Sequence, residues 1–381
     1  MKRKLFFGIV GLLVGLTPGL VLAVHDGHKP TIPGRSLENP GINLYFQQRV
    51  DYEIEVELDP QNHLLRARME MFYENRSPDT LFYIYMHLWP NAYRNNRTAF
   101  ARQKAASGSW DFYAAPDSLR GGIDSLDFRT AGKALRWSLL PDTIDVAIVW
   151  LDKPLLPGAR VSITTPFRVK IPGNFSRLGR DRGQYQLCQW YPKPAVYDRD
   201  GWHPMPYLDL GEFYSEFGNF DVQITVPAHF RVAGSGELQT ASEQAWLDSL
   251  STACWALDSF PRIQNNTDQA GAQRRKTVQY RLENAHDFAW FCGPDYYVRQ
   301  SKVRLPHSGR TVKTAVFFTR SSKLWKDAAA YVDSSVYYYS LWVGDYPWST
   351  CTAVDGALSA GGGMEYPTIT VIAGVNSARI L

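Results

Sequence analysis

Between Val50 and Leu58 the chain reads VDYEIEVEL, so that Val50, Tyr52, Ile54, Val56 and Leu58 are apolar while Asp51, Glu53, Glu55 and Glu57 are acidic. Successive side chains of a strand leave opposite faces, and a strict period of two therefore predicts a strand with one face in a core and the other in water. The turn DPQNH follows, and LLRARMEMFYEN alternates again through Leu65, Ala67, Met69, Met71 and Tyr73. Two such runs joined by a short turn predict an antiparallel hairpin. Comparable runs recur as LFYIYMHLW, TIDVAIVWL, RVSITTPFRVKI, GNFDVQITVP and TVQYRLENAHDFAWFCG. Only ASEQAWLDSLSTACWAL interrupts them with a helix-like pattern, so residues 44–294 are expected to form a β-sheet domain.

Beyond GPDYY the pattern changes. KTAVFFTR reads as a strand, and SSKLWKDAAAYVDSSVYYYSLWVG places Leu324, Ala328, Tyr331, Val332, Ser335, Tyr339 and Trp342 at helical spacing behind a Ser321 or Ser322 cap. The runs STCTAVDG and PTITVI follow as strands. Residues 295–381 therefore read as the beginning of an α/β domain. A length of 381 residues with 45% hydrophobic content suits two domains.

The amino terminus carries its own signal. Lys2, Arg3 and Lys4 precede the uncharged stretch LFFGIVGLLVGLTPGLVLA, which ends on the small residue Ala23. A basic start, an apolar middle and a small-residue exit predict a secretory signal over 1–23, with an uncleaved membrane anchor as the competing reading. Residues 24–43, rich in Pro and Gly, read as a linker. Those three basic residues supply most of the formal net charge of +4, and the rest of the chain has no basic excess suited to nucleic acid. Cys188, Cys254, Cys292 and Cys351 contain no C-x-x-C pair. They are either disulfide partners, with three possible pairings, or core residues.

Several chemistries are excluded by motif. No G-x-S-x-G elbow, phosphate loop or dinucleotide fingerprint is present, and the eight histidines include no H-E-x-x-H. His25 and His28 read as solvated residues of the linker, and the neighbours His286 and Asp287 would leave opposite faces of a strand. Two stretches remain. QYQLCQWYPKPAVYDRDGWHPMPY gathers aromatics and prolines in a loop suited to recognition or to plugging an interface. In GALSAGGGMEYPTITV three glycines run into Glu365. They mark either a tight turn or room for an extended peptide backbone beside a carboxylate.

Together GGGMEYP at 361–367, LCQWYPKPAVYDRDGWHPMPY at 187–207, HLWPNAYRNNRTAF at 87–100 and GDYPW at 344–348 resemble the M1 family of zinc aminopeptidases, in particular its exported bacterial branch. The resemblance extends from about Asn43 to the end. It implies a saddle-shaped β domain followed by a thermolysin-like catalytic domain, with the cleft between them. It further implies that Glu365, within the motif that includes Met364, holds the α-ammonium of a peptide with a free N-terminus. The backbone at Gly362 and Gly363 would pair with that peptide, and Gln189 would be the second ligand of the amine. Zinc belongs to the intact parent. The family's H-E-x-x-H lies further along than Leu381, so this chain is expected to be an N-terminal portion that supplies substrate-binding residues, no catalytic residue and no bound metal. Tyr366 stands where the family motif usually has Asn. A rival expectation is a peptide- or glycan-binding module of the same fold without hydrolysis.

The export signal predicts that protein recovered from the exported fraction begins at Val24. Intact-mass measurement checks this, and a chain that begins at Met1 and sediments with membranes establishes the anchor instead.

Overall fold

The computed structural model describes residues 45–263, 274–356 and 362–373. The chain divides into two units, Met1–Asn43 and Leu44–Leu381. The expected signal and linker, and the terminal VNSARIL, lie outside the described residues.

The alternating run is strand β1 (Arg49–Asp59), paired antiparallel with β2 (Leu64–Glu74) in a register that sets Ile54 opposite Met69 and Val56 opposite Ala67. The five apolar residues of β1 are buried as their spacing predicts. The turn forms because Asp59 accepts hydrogen bonds from the backbone N–H groups of Gln61 and Asn62 at 3.1 and 3.2 Å, while His63 adopts φ 53°.

Around this hairpin lies the scaffold of the β region, composed of β3 (Leu81–His87), β4 (Thr143–Leu155), β5 (Arg160–Lys170), β6 (Gln184–Leu187), β7 (Gly218–Pro227), β8 (Arg231–Gly234), β9 (Arg275–Ala285) and β10 (Trp290–Gly293). The largest sheet has nine strands, with its long members in the order β9-β7-β1-β2-β5. Within it β1 and β7 run parallel, Ile54 opposite Val222, and the rings of Tyr52 and Phe220 stack at 4.7 Å. Two four-stranded sheets, one containing β6-β10-β8 and the other β3-β4, close the core over it. The stretch NRTAF within the 87–100 motif starts helix α1 (Ala99–Ala106), whose first turn is capped by the Thr98 side chain accepting from Ala101 N–H. The helix-like interruption is α2 (Ala241–Trp255).

Between Gly293 and Tyr297 the chain changes sheet. Strands β11 (Tyr297–Arg304), β12 (Thr311–Phe318), β13 (Thr350–Asp355), β14 (Gly363–Tyr366) and β15 (Ile369–Ile372) form a five-stranded sheet in the order β11-β12-β13-β15-β14. A 3-10 turn, Lys323–Asp327, leads into helix α3 (Ala328–Val343). The chain is thus mainly β, with a mixed sheet and helix after the β domain. One face of this last sheet carries Phe317, Val354 and Val371 toward Cys188 and Leu247 of α2; the other carries Val316, Phe318 and Ala353 toward α3.

Two local expectations are corrected. Ser322 does not cap the helix with its side chain; its hydroxyl donates to Asp355 at 2.6 Å. The face of α3 against the sheet is Ala328, Ala329, Val336 and Ser340, whereas Tyr339 and Trp342 are 65% and 70% exposed. Small side chains let the helix axis approach the sheet, and Asp333 accepts from the hydroxyls of Ser301 and Thr314, which locks that rotation. All four cysteines are free thiols, three of them buried and Cys351 half-buried.

The close approach of β1 and β7 generates a prediction. A Cβ on Gly218 would overlap the Val50 carbonyl oxygen, while nothing lies within 4 Å of one on Gly362. Gly218→Ala is expected to destabilise by about 1–3 kcal/mol or more, and Gly362→Ala by far less. Thermal unfolding of the two variants checks the contrast.

Candidate functional site

Among the described residues strand β14 occupies the edge of the five-stranded sheet and pairs only with β15. Pro367 and Thr368 turn the chain between them. Thr368 adopts φ 66°, an unfavourable conformation for a β-branched residue, and is held there by two hydrogen bonds. Gly236 N–H donates to its hydroxyl at 2.6 Å, and Thr352 N–H to its carbonyl at 2.9 Å. The hairpin is thereby fastened to both the β domain and the neighbouring strand.

The ladder decides what the edge offers. Ala373 N–H donates to the Gly362 carbonyl at 3.1 Å, so the main-chain groups of Gly362 face β15. Orientation alternates along an antiparallel pair, and the main-chain groups of Gly363 and Glu365 consequently face the open side. The side chains divide as well. Met364 and Tyr366 turn toward the β domain, where Arg177 Nε lies 3.3 Å from Met364 Sδ and Tyr366 joins the buried cluster around Cys188. Burial pushes the Cys188 thiol up to about 12, and the adjacent Tyr366 hydroxyl partly offsets that rise. Glu365 leaves the opposite face, beside Thr370 opposite it on β15, and is exposed. Among the described residues its carboxylate forms no hydrogen bond or ion pair.

Gln189 is placed differently. It is buried, has φ 55°, and its carboxamide is engaged at both ends. Nε2 donates to Asp287 Oδ2 at 2.6 Å, and Oε1 accepts from Lys193 Nζ at 2.7 Å. Asp287 Oδ1 accepts in addition from Tyr191 at 3.0 Å, from Phe288 N–H at 2.9 Å and from Lys193 at 2.9 Å. Burial draws the Lys193 pKa down, and Asp287 opposes that shift. His87, opposite Lys193 in register and stacked on Trp89 at 4.4 Å, is lowered to about 3 by burial and then by the Lys193 charge. The expectation that Gln189 is an amine ligand therefore meets a carboxamide already committed inside the β domain. No hydrogen bond joins Gln189 to Glu365 among the described residues; it is their neighbours Cys188 and Tyr366 that meet.

Sequence reasoning missed several members of this arrangement. The sequence offers Asp287 only as a neighbour of His286 on a strand; both lie past the end of β9, and the His286 ring packs 5.3 Å from that of Phe217. Lys193 and Tyr191 were visible only as parts of an aromatic loop, and Arg177 carried no signal. Gln186 was also overlooked; its Nε2 donates to Asn174 at 3.0 Å, and its Oε1 would lie 3.4 Å from a Cβ on Gly356, at the start of the glycine segment. The rest of the 184–207 loop largely fills the interior, with the Met205 carbonyl accepting from Trp89 and Tyr207 N–H donating to Asp145 at 2.7 Å.

No family model and no curated protein matches the sequence. Solved structures do match. A variant of a two-domain M1 zinc metallopeptidase bound to L-arginine aligns with a TM-score of 0.51 at 15% identity, covering 88% of this chain and 62% of that one. A variant M1 zinc metallopeptidase from Deinococcus radiodurans gives 0.50 at 14% identity, with the same 88% and 62%. A variant from that organism bound to a Tyr-Ser-Ala substrate gives 0.50 at 13% identity, again with 88% and 62%. The fold is M1-like. The chain spans 62% of the length of these structures.

The Asp287 cluster predicts strong coupling. Removing one partner of a buried ion pair costs about 3–5 kcal/mol, because the other charge is left uncompensated. Lys193→Met and Asp287→Leu should each destabilise by that amount, while the double variant loses clearly less than the sum. A double-mutant cycle by chemical denaturation measures it.

Proposed function

We propose that this chain is the N-terminal portion of an exported M1-type zinc aminopeptidase, and that strand β14 is the wall on which a peptide with a free N-terminus is held. One observation carries the reading: a sheet edge and a carboxylate, both without a partner among the described residues, coincide at Glu365, in a fold whose solved counterparts include complexes with L-arginine and with a Tyr-Ser-Ala substrate. An extended peptide adds to such an edge through main-chain hydrogen bonds, and the outward-facing groups of Gly363 and Glu365 are those available to it. Gly362 and Gly363 present no side chain, and a Cβ on Gly362 would meet nothing within 4 Å among the described residues.

The Glu365 carboxylate then pairs with the peptide's ammonium. A hydrogen bond with one charged partner is shorter and stronger than a neutral one. One extended residue spans roughly 3.3–3.6 Å, so an anchored amine presents the first peptide bond at a fixed distance, as removal of single N-terminal residues requires. Met364 and Tyr366 hold the strand from the other face. Gln189 supports the wall by fixing the turn that directs Cys188 toward Tyr366, with its amide held by Asp287 and Lys193.

Zinc is the metal of the enzyme class this reading invokes. Among the described residues no three His, Cys, Asp or Glu side chains converge as a ligand set, so none is assigned to zinc. The roles proposed here for Glu365, Gly362 and Gly363 are binding and orienting.

The test is equilibrium binding of a labelled tripeptide and its N-acetylated counterpart to the 381-residue protein. The free-amine peptide is expected to bind more tightly. Glu365→Gln should reduce that preference by roughly ten- to hundred-fold, the equivalent of the 1.5–3 kcal/mol of a charged hydrogen bond. Equal losses for both peptides, accompanied by a lower melting temperature, would mean that Glu365 only stabilises the hairpin.

A further inference from the structure

A second site lies on the opposite face of the five-stranded sheet. Between that face and α2 is a cavity of about 590 Å³, within the range of roughly 300–1,000 Å³ typical of small-molecule sites. The strand register orders its floor into three rungs. At the apolar end Phe317 lines the cavity, with Val298 and Val354 beside it in register. The next rung is Gln300, Ala315 and Thr352, and the last is Lys302, Lys313 and Thr350. Over this floor α2 lays Leu247 at the apolar end, then Ser251, then Trp255, whose indole N–H donates to the Gln300 carbonyl at 3.2 Å and whose ring is 48% exposed.

The polar end is rich in donors. Lys302 and Lys313 are direct cross-strand partners, an arrangement in which like charges repel, and neither forms an ion pair among the described residues. The Ser251 hydroxyl oxygen accepts from Gln300 N–H at 2.8 Å, which leaves its own O–H to donate. The Thr352 hydroxyl and the Gln300 carboxamide are uncommitted among the described residues. One acidic group, Asp248, also lines the cavity; it accepts from the Gln244 amide at 2.7 Å.

We propose that this cavity binds an organic carboxylate with an apolar, ring-sized body, the carboxylate between Lys302 and Lys313 and the body directed toward Phe317 and Leu247. An anion at the outer rung converts the repulsion of the two ammonium groups into attraction for a shared partner, and the graded floor gives the ligand one orientation. The site is independent of Glu365, which leaves the other face of the sheet.

The probe is 2-naphthoate, with 2-naphthamide as its uncharged counterpart, titrated calorimetrically into the full chain. One equivalent of naphthoate is expected to bind, at least about tenfold tighter than the amide, and to weaken as salt is raised because exposed charges are screened. The paired variant Lys302→Gln with Lys313→Gln, both at solvent-exposed positions, should abolish the preference for naphthoate over the amide. Leu247→Trp, which fills the apolar end, should weaken both compounds. The exposed aromatics of α3 are the competing location, so Tyr339→Ser with Trp342→Ser should leave binding unchanged. Naphthoate affinity that survives the lysine variant, binding lost in the α3 variant, or no binding at millimolar concentration overturns the assignment. Glu365→Gln, which tests the peptide wall, should not affect it, so the two readings fail separately.

Discussion

A carboxylate placed in a dry interior must be answered by donors, and Asp287 is answered by four. Tyr191, Lys193, Gln189 and the N–H of Phe288 converge on it from two segments nearly a hundred residues apart in sequence. That requirement reaches further than the pair itself. To deliver its amide to Asp287, Gln189 takes a left-handed backbone conformation, and Cys188 beside it joins the cluster that receives Tyr366, Ile369 and Val371. The seat of the last sheet against the β domain is therefore linked to how a buried ion pair is satisfied.

Much of the fold was legible because its signals are local. The acidic and apolar residues of β1 alternate without interruption, and one turn separates them from β2; no tertiary information was needed to read the hairpin. The helical period of α3 was also evident, but its buried face was not, since periodicity cannot tell whether a stripe of Ala, Val and Ser or a stripe of Tyr and Trp meets the sheet. Close approach favoured the small residues. The glycine run and Glu365 stood out in the sequence, but alone they fitted a tight turn as well as a peptide-binding edge, and the role of Glu365 came only from the resemblance. Asp287 did not stand out, because its partners are set by a long-range meeting of β10's approach and the 189–193 turn, and no spacing along the chain encodes that meeting.

The five-stranded sheet separates two chemistries. On the α3 side its edge offers an acidic residue and open main-chain groups; on the α2 side its floor grades from apolar to basic. The strand period of two is enough to produce this division, for Met364 and Glu365 are neighbours in sequence yet belong to different surroundings. A shift of one residue in the β14–β15 register would exchange them, burying the carboxylate against Cys188 and exposing Tyr366.

That register is guarded at the turn. Thr368 is held in a costly backbone conformation by a hydrogen bond from Gly236, so the hairpin behaves as a clasp closed across two structural layers. This bond shares the seam with others, the Thr350 hydroxyl donating to the Gly236 carbonyl and the Trp348 indole to the Glu283 carbonyl. Once the bond to Thr368 opens, Thr368 can relax, and the relaxation resists reclosure. The orientation of the β14 edge is thus tied to the contact between β domain and sheet through the turn at Thr368.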